Sequence, residues 1–314
     1  MTVTRGARLT GAGLCAVLAL LTVGWILRDL AVLGSGPRLW GFWAGESPWP
    51  ADGGRPATSP LDPLLLLVYA AAARRPTAFA ATGAVTLAVR LPGLWVLGSA
   101  DELPAAAPGA TLAALGTTLV ALVAGALLLV TAAVARRPAG TGRPRRGPAV
   151  AAAVLLLAAA GTWTAWEVHW AAELPLRATV DRFTGGRSVL MPMLATPPGW
   201  LNAVVVLTCL AAAGAALVRA GHARPLGMIA GVLLIGGGTG LALALRYDVL
   251  ADPERIAALA PRDQLHLATW AFTLLTGAAV LVLLGAARTA PHPVAPPRPA
   301  IGPPAPPHPR PPGW

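Results

Sequence analysis

Residues 149–177, AVAAAVLLLAAAGTWTAWEVHWAAELPLR, constrain the fold more than any other stretch. Their first part is an unbroken apolar run of the length a helix needs to cross ~30 Å of hydrocarbon. The run ends in Trp163, Trp166, Glu167, His169, Trp170 and Glu173. An apolar cylinder with tryptophans gathered at one end suits a bilayer, because indole rings settle at the headgroup level. Similar runs recur along the chain, which is 55% hydrophobic and 12% charged, with a mean hydropathy of +0.64. No interval between the runs is long enough for a separate soluble domain. The fold class is therefore all-α: a polytopic integral membrane protein.

The runs predict eight transmembrane helices. A first half, 1–147, holds spans at about 9–27, 59–75, 77–97 and 110–135. A second half, 148–287, holds spans at about 148–168, 200–218, 226–245 and 263–287. Residues 288–314 are proline-rich and too poor in apolar groups to fold, so they are expected to form a disordered tail. A PxxP-type docking segment for a partner protein is a second use of that tail. Trp25, Arg28 and Asp29 follow the first run where a signal peptide would carry small residues, so the run reads as an uncleaved helix. Each half repeats one plan: helix, long loop, helix, basic turn ending in Arg-Pro, helix, shorter loop, helix. The spacing suggests two parallel four-helix repeats about an axis along the membrane normal.

Net charge is +11, and all 24 basic residues are arginine. With the abundant Ala, Gly and Pro, this matches GC-rich coding of the actinobacterial kind. The arginines crowd short loops at helix ends, as the positive-inside rule requires, so nucleic acid is not an expected partner. Starting from a cytoplasmic N-terminus, eight spans put Arg5, Arg8, Arg74, Arg75, Arg136, Arg137 and Arg224 inside with no acidic residue. All 13 acidic residues then lie at the outer side. Tryptophan divides the same way, with only Trp314 of the 11 falling inside. The expected setting is a bacterial plasma membrane with both termini cytoplasmic. Cys15 and Cys209 lie within apolar runs and read as packing thiols.

The polar residues of interest gather at the outer ends. His169 and Glu173 are four apart on one helical face, beside Trp163, Trp166 and Trp170. Asp263 and His266 open the last span at the same level, with Asp248, Asp252 and Glu254 just before them. Such groups could form an acid–base pair, but no HExxH or comparable metal pattern occurs and no cofactor is indicated. The loop RLWGFWAGESPWP presents Trp40, Trp43 and Trp49 for an interface or a sugar face. Counting from the turn at Arg75 puts Asp62 and Arg90 at similar depth, so they are expected to form a structural ion pair. Gly227 with Gly231, and Gly236 with Gly240, have the spacing of close helix contacts, and Thr269, Thr273 and Thr276 form a polar stripe.

No Asp, Glu or His lies mid-span, and neither a Walker motif nor a GxSxG elbow is present. The leading expectation is a protein, leaning non-enzymatic, that binds or senses a lipid or envelope component such as a glycan. Its binding residues would be Trp40, Trp43, Trp163, Trp166, His169, Trp170, Glu173 and His266. The alternative is a glycosyl- or lipid-transferase at the outer interface, with Asp29, Glu167 or Asp263 as catalytic carboxylate. A small-solute permease is a third reading.

Overall fold

A computed structural model describes residues 5–45, 56–98, 108–134, 145–238, 240–241, 244, 249–250 and 252–285. Trp49, Asp248 and the tail 288–314 lie outside the described residues. Every described element is helical: α1 (Arg5–Leu33), α2 (Gly36–Ala44), α3 (Leu61–Arg74), a 3₁₀ turn (Pro76–Ala78), α4 (Phe79–Arg90), α5 (Gly93–Gly98) and α6 (Pro108–Val134). There follow α7 (Arg146–Glu173), α8 (Leu176–Thr184), α9 (Pro198–Leu217), α10 (Ala223–Gly237), α11 (Pro253–Ala258) and α12 (Pro261–Gly285).

Six helices are long and apolar enough to cross a membrane: Arg5–Leu33, Pro76–Gly98, Gly109–Val134, Arg146–Glu173, Pro198–Leu217 and Pro261–Gly285. The protein is a multi-pass helical membrane protein. At the two other expected positions stand shorter apolar helices, α3 with 14 residues and α10 with 15. At 1.5 Å per residue these reach only about 21–23 Å. Proline sets several boundaries: Pro108, Pro198, Pro253 and Pro261 each open a helix, where the missing N–H costs nothing. Pro92 divides Pro76–Gly98 into α4 and α5. The expected spans near 9–27 and 148–168 prove longer, because Arg28 and Asp29 continue α1, and His169 to Glu173 continue α7, beyond the expected ends.

The two halves pack alike. In the first, α1 lies against α3 and α6, and α4 against α6 and α3. In the second, α7 lies against α9 and α12, and α10 against α12 and α9. The halves meet where α3 touches α10 and α4 touches α9. Glycine sets the closest approach in each half. A Cβ at Gly83 would stand 2.6 Å from the Gly125 carbonyl oxygen, and one at Gly277 would stand 2.6 Å from that of Gly231. Backbones this close admit only glycine on the facing sides. One continuous core joins Cys15, Leu65, Tyr69, Phe79 and Leu128 to Leu156, Cys209, Leu234 and Val280.

Short amphipathic helices follow α1 and α7 in matching places. Both α2 and α8 have nine residues and end on a left-handed glycine, Gly45 (φ 89°) and Gly185 (φ 77°). A left-handed residue lets the chain turn back sharply while satisfying the last carbonyls, and glycine adopts it without a Cβ clash.

Candidate functional site

The C-terminal ends of α1 and α7, with the elements that follow, hold most of the predicted site residues; Asp62, Arg90, Asp263 and His266 lie on α3, α4 and α12. In the first half the chain returns to α3 through the non-helical segment 56–60, of which Pro56, Ala57 and Thr58 are buried. Non-helical backbone at the bilayer edge must find partners within the protein. Asp29, completely buried, supplies them. Its carboxylate accepts from Ala57 N at 2.9 Å, and from Thr58 N and Thr58 Oγ1, both at 2.6 Å. Arg28 Nη1 donates to it at 2.8 Å. Trp43 Nε1 donates to Thr58 Oγ1 at 3.2 Å, which docks α2 on the same segment. On the far side, Met193 N and Leu194 N donate to the Pro56 and Ala57 carbonyls at 3.3 and 2.9 Å.

Just beneath, Arg90 Nη2 donates to Asp62 Oδ1 at 2.5 Å, with both side chains almost fully buried. The other carboxylate oxygen accepts from Ser59 N at 2.7 Å, tying the start of α3 to the segment before it. Arg90 Nη1 donates to the Leu194 carbonyl at 2.8 Å, and Thr86 Oγ1 donates to Tyr69 Oη at 3.3 Å. A cavity of about 10 Å³ lies among Trp25, Asp62, Tyr69, Arg90 and Thr117. It has room for about one water.

In the second half the aromatic groups stack on one another. The rings of Trp166 and His266 lie 3.7 Å apart and nearly parallel, and Trp166 Nε1 donates to Thr269 Oγ1 at 3.0 Å. Trp170 stands beside them, 5.4 Å from the His169 ring and 5.7 Å from that of His266. The guanidinium carbons of Arg182 and Arg262 lie 5.4 and 5.6 Å from the Trp170 ring centre, within cation–π range. Glu167 accepts from Arg182 Nη2 at 2.8 Å and from Asn202 Nδ2 at 2.5 Å, which fastens α7 to α8 and α9. Trp163 Nε1 and His169 Nε2 are buried with no hydrogen-bond partner among the described residues.

Some predicted residues stand apart from these groups. Trp40 is 48% exposed, and Glu173 and Asp263 are exposed. Asp252 caps α11 by accepting from Glu254 N. Among the described residues no group of three or more His, Cys, Asp or Glu is placed to hold a metal ion. Asp181, in α8, has its carboxyl held below the usual range by hydrogen bonds from Ser188, side chain first and then backbone.

One device occurs twice. Trp25 Nε1 donates to Thr117 Oγ1 at 2.9 Å, joining α1 to α6 as the Trp166–Thr269 bond joins α7 to α12. Thr117 precedes Thr269 by the same interval that separates Gly125 from Gly277. Spacing of apolar runs did not reveal Arg182, Asn202, Thr58 or the Leu194 carbonyl as partners. A sequence signal does exist: ATSP at 57–60 and ATPP at 195–198 lead into α3 and α9. Set against family models, curated proteins and solved structures, the chain matches none, and the reading of this site rests on its own residues.

Proposed function

We propose that this is an eight-span bacterial plasma-membrane protein with both termini cytoplasmic, and that it binds a lipid or envelope component at its outer face. The eight-span reading takes α3 and α10 as the two shorter crossings. Two parallel four-helix repeats are supported by the matched packing of the halves, the paired glycines of α4–α6 and α10–α12, and the doubled Trp–Thr bond. An even number of spans per repeat leaves the two copies in the same orientation.

One observation carries the binding reading: Asp29, Asp62 and Glu167 are held in contacts within the protein, while Trp40 and Arg262 stay exposed on the same face as Glu173 and Asp263. Asp29, Asp62 and Glu167 are all engaged in fastening loops. That leaves a transferase only Asp263, exposed at the start of α12, as its catalytic carboxylate. Trp40 and Arg262 are exposed, with Trp170 beside Arg262. Such groups suit the apolar–polar boundary of a lipid or glycolipid. The test is native mass spectrometry, with metal analysis, of the protein in mild detergent. A stoichiometric lipid or glycolipid that is lost in Trp170→Ala supports the reading. A bare protein mass overturns it.

A further inference from the structure

Pro92 interrupts the span Pro76–Gly98 and separates α4 from α5. Proline has no N–H, so the Ala88 carbonyl one turn earlier is left without its helical donor. Pro92 is buried, and backbone freed inside a span has to be met by the protein itself. The second half of the chain meets it. Trp200 Nε1, in the first turn of α9, donates to the Ala88 carbonyl at 2.7 Å. Thr196 Oγ1 donates to the next carbonyl, that of Val89, at 2.9 Å. Arg90 Nη1 returns a bond to the Leu194 carbonyl at 2.8 Å.

Beyond the break, α5 is gripped by the same half. Trp95 Nε1 donates to the carbonyl of Thr184, the last residue of α8, at 3.0 Å. The Trp95 ring also meets the Trp200 ring edge-on, with centres 5.5 Å apart. Val96 fits against Gly185, where a Cβ would stand 2.7 Å from Val96 Cγ2. Trp200 therefore touches both arms of the joint, its N–H on α4 and its ring on α5. The two arms differ in their other support. Gly83 of α4 is locked against Gly125 of α6, whereas α5 is a single short helix of six residues. A break at proline is where a helix bends, and side-chain contacts are what hold the bend at one angle.

We infer that Pro92 is a hinge between α4 and α5 and that Trp200 is its latch: when the Trp200 N–H leaves the Ala88 carbonyl, α5 loosens as a unit while α4 keeps its packing on α6. The device does not depend on what the outer face binds. Hydrogen exchange of the full chain in mild detergent, read at the amides of residues 94–98 and 83–89, tests it. Trp200→Phe keeps a ring beside Trp95 and removes the N–H. It is expected to speed exchange at 94–98 about tenfold, the equivalent of 1.4 kcal/mol, and at 83–89 less than about twofold. In Pro92→Ala the new N–H serves the Ala88 carbonyl within one continuous helix. There, adding Trp200→Phe is expected to change exchange at 94–98 by less than about twofold. Equal acceleration of both segments by Trp200→Phe overturns the hinge, and no acceleration of either overturns the latch. Acceleration at 94–98 that Pro92→Ala leaves undiminished overturns the role of the proline. The comparison of the two segments in the wild-type background decides the hinge and the latch even if Pro92→Ala does not fold.

Discussion

Separating Asp62 from Arg90 is the most informative perturbation of the first half. Removing either member leaves the other charged and buried, at a cost of about 3–5 kcal/mol. Replacing both, as Asp62→Leu with Arg90→Met, removes the pair and fills the space with apolar atoms of similar size. The double variant still loses three contacts, those of Ser59 N and Ser59 Oγ with Asp62 and of the Leu194 carbonyl with Arg90. Each orphaned backbone group costs about 1–3 kcal/mol, and Ser59 sits near the low end because it is only partly buried. The singles together should thus cost about 6–10 kcal/mol and the double about 2–5, a coupling of several kcal/mol. Equilibrium unfolding in mixed detergent–SDS micelles, followed by tryptophan fluorescence, reads all three. Additive costs would refute the reasoning, since they would mean that neither charge depends on the other.

On the glycine contacts, Gly83→Ala should destabilise by about 2–3 kcal/mol, because the new methyl meets the Gly125 carbonyl and the helices must part. Gly116→Ala, on the open side of α6, should stabilise by about 0.5–1 kcal/mol, and the same unfolding assay compares the two. The depressed carboxyl of Asp181 contributes order to the Gly185–Ser188 turn above the unfolded-state pKa, and that contribution is lost as pH falls through the folded value. Hydrogen exchange at the Ser188 amide should therefore gain protection from pH 3 to pH 6 in wild type relative to Asp181→Asn, after correction for intrinsic rates; parallel profiles would contradict this. For topology, a cysteine at Glu173 should react with an impermeant maleimide on intact cells, and one at His222 only after permeabilisation. Cys15 and Cys209 are buried and should remain silent.

Long apolar runs announce themselves in a sequence, and six of them form helices long enough to cross a membrane. The meeting of Asp62 with Arg90 follows from counting residues either side of a tight turn, because an antiparallel hairpin fixes relative depth. Asp29 was readable as a polar residue at a helix end, but not as the anchor of Ala57 and Thr58. Its partners lie in non-helical backbone, where no period indicates which amide points where. The same limit hid the Glu167–Arg182–Asn202 group, which spans three helices. His169 and Glu173 share a helical face by spacing, yet the His169 ring lies against Trp166 and Trp170, since aromatic packing outweighs a solvated ion pair.

The order in which the chain is made gives the Leu194 contacts a further meaning. Arg90 has its carbonyl partner, and Ala57 its backbone donor, only in residues that follow more than a hundred positions later. At 5–20 residues per second, translation needs on the order of 5–20 s to deliver them. Until then Arg90 Nη1 and the Pro56 and Ala57 carbonyls are without these partners. Thr196 Oγ1 and Trp200 Nε1 then close over the Val89 and Ala88 carbonyls as well. The packing of the first half is thus complete only when a single strap from the second, residues 193–200, is in place.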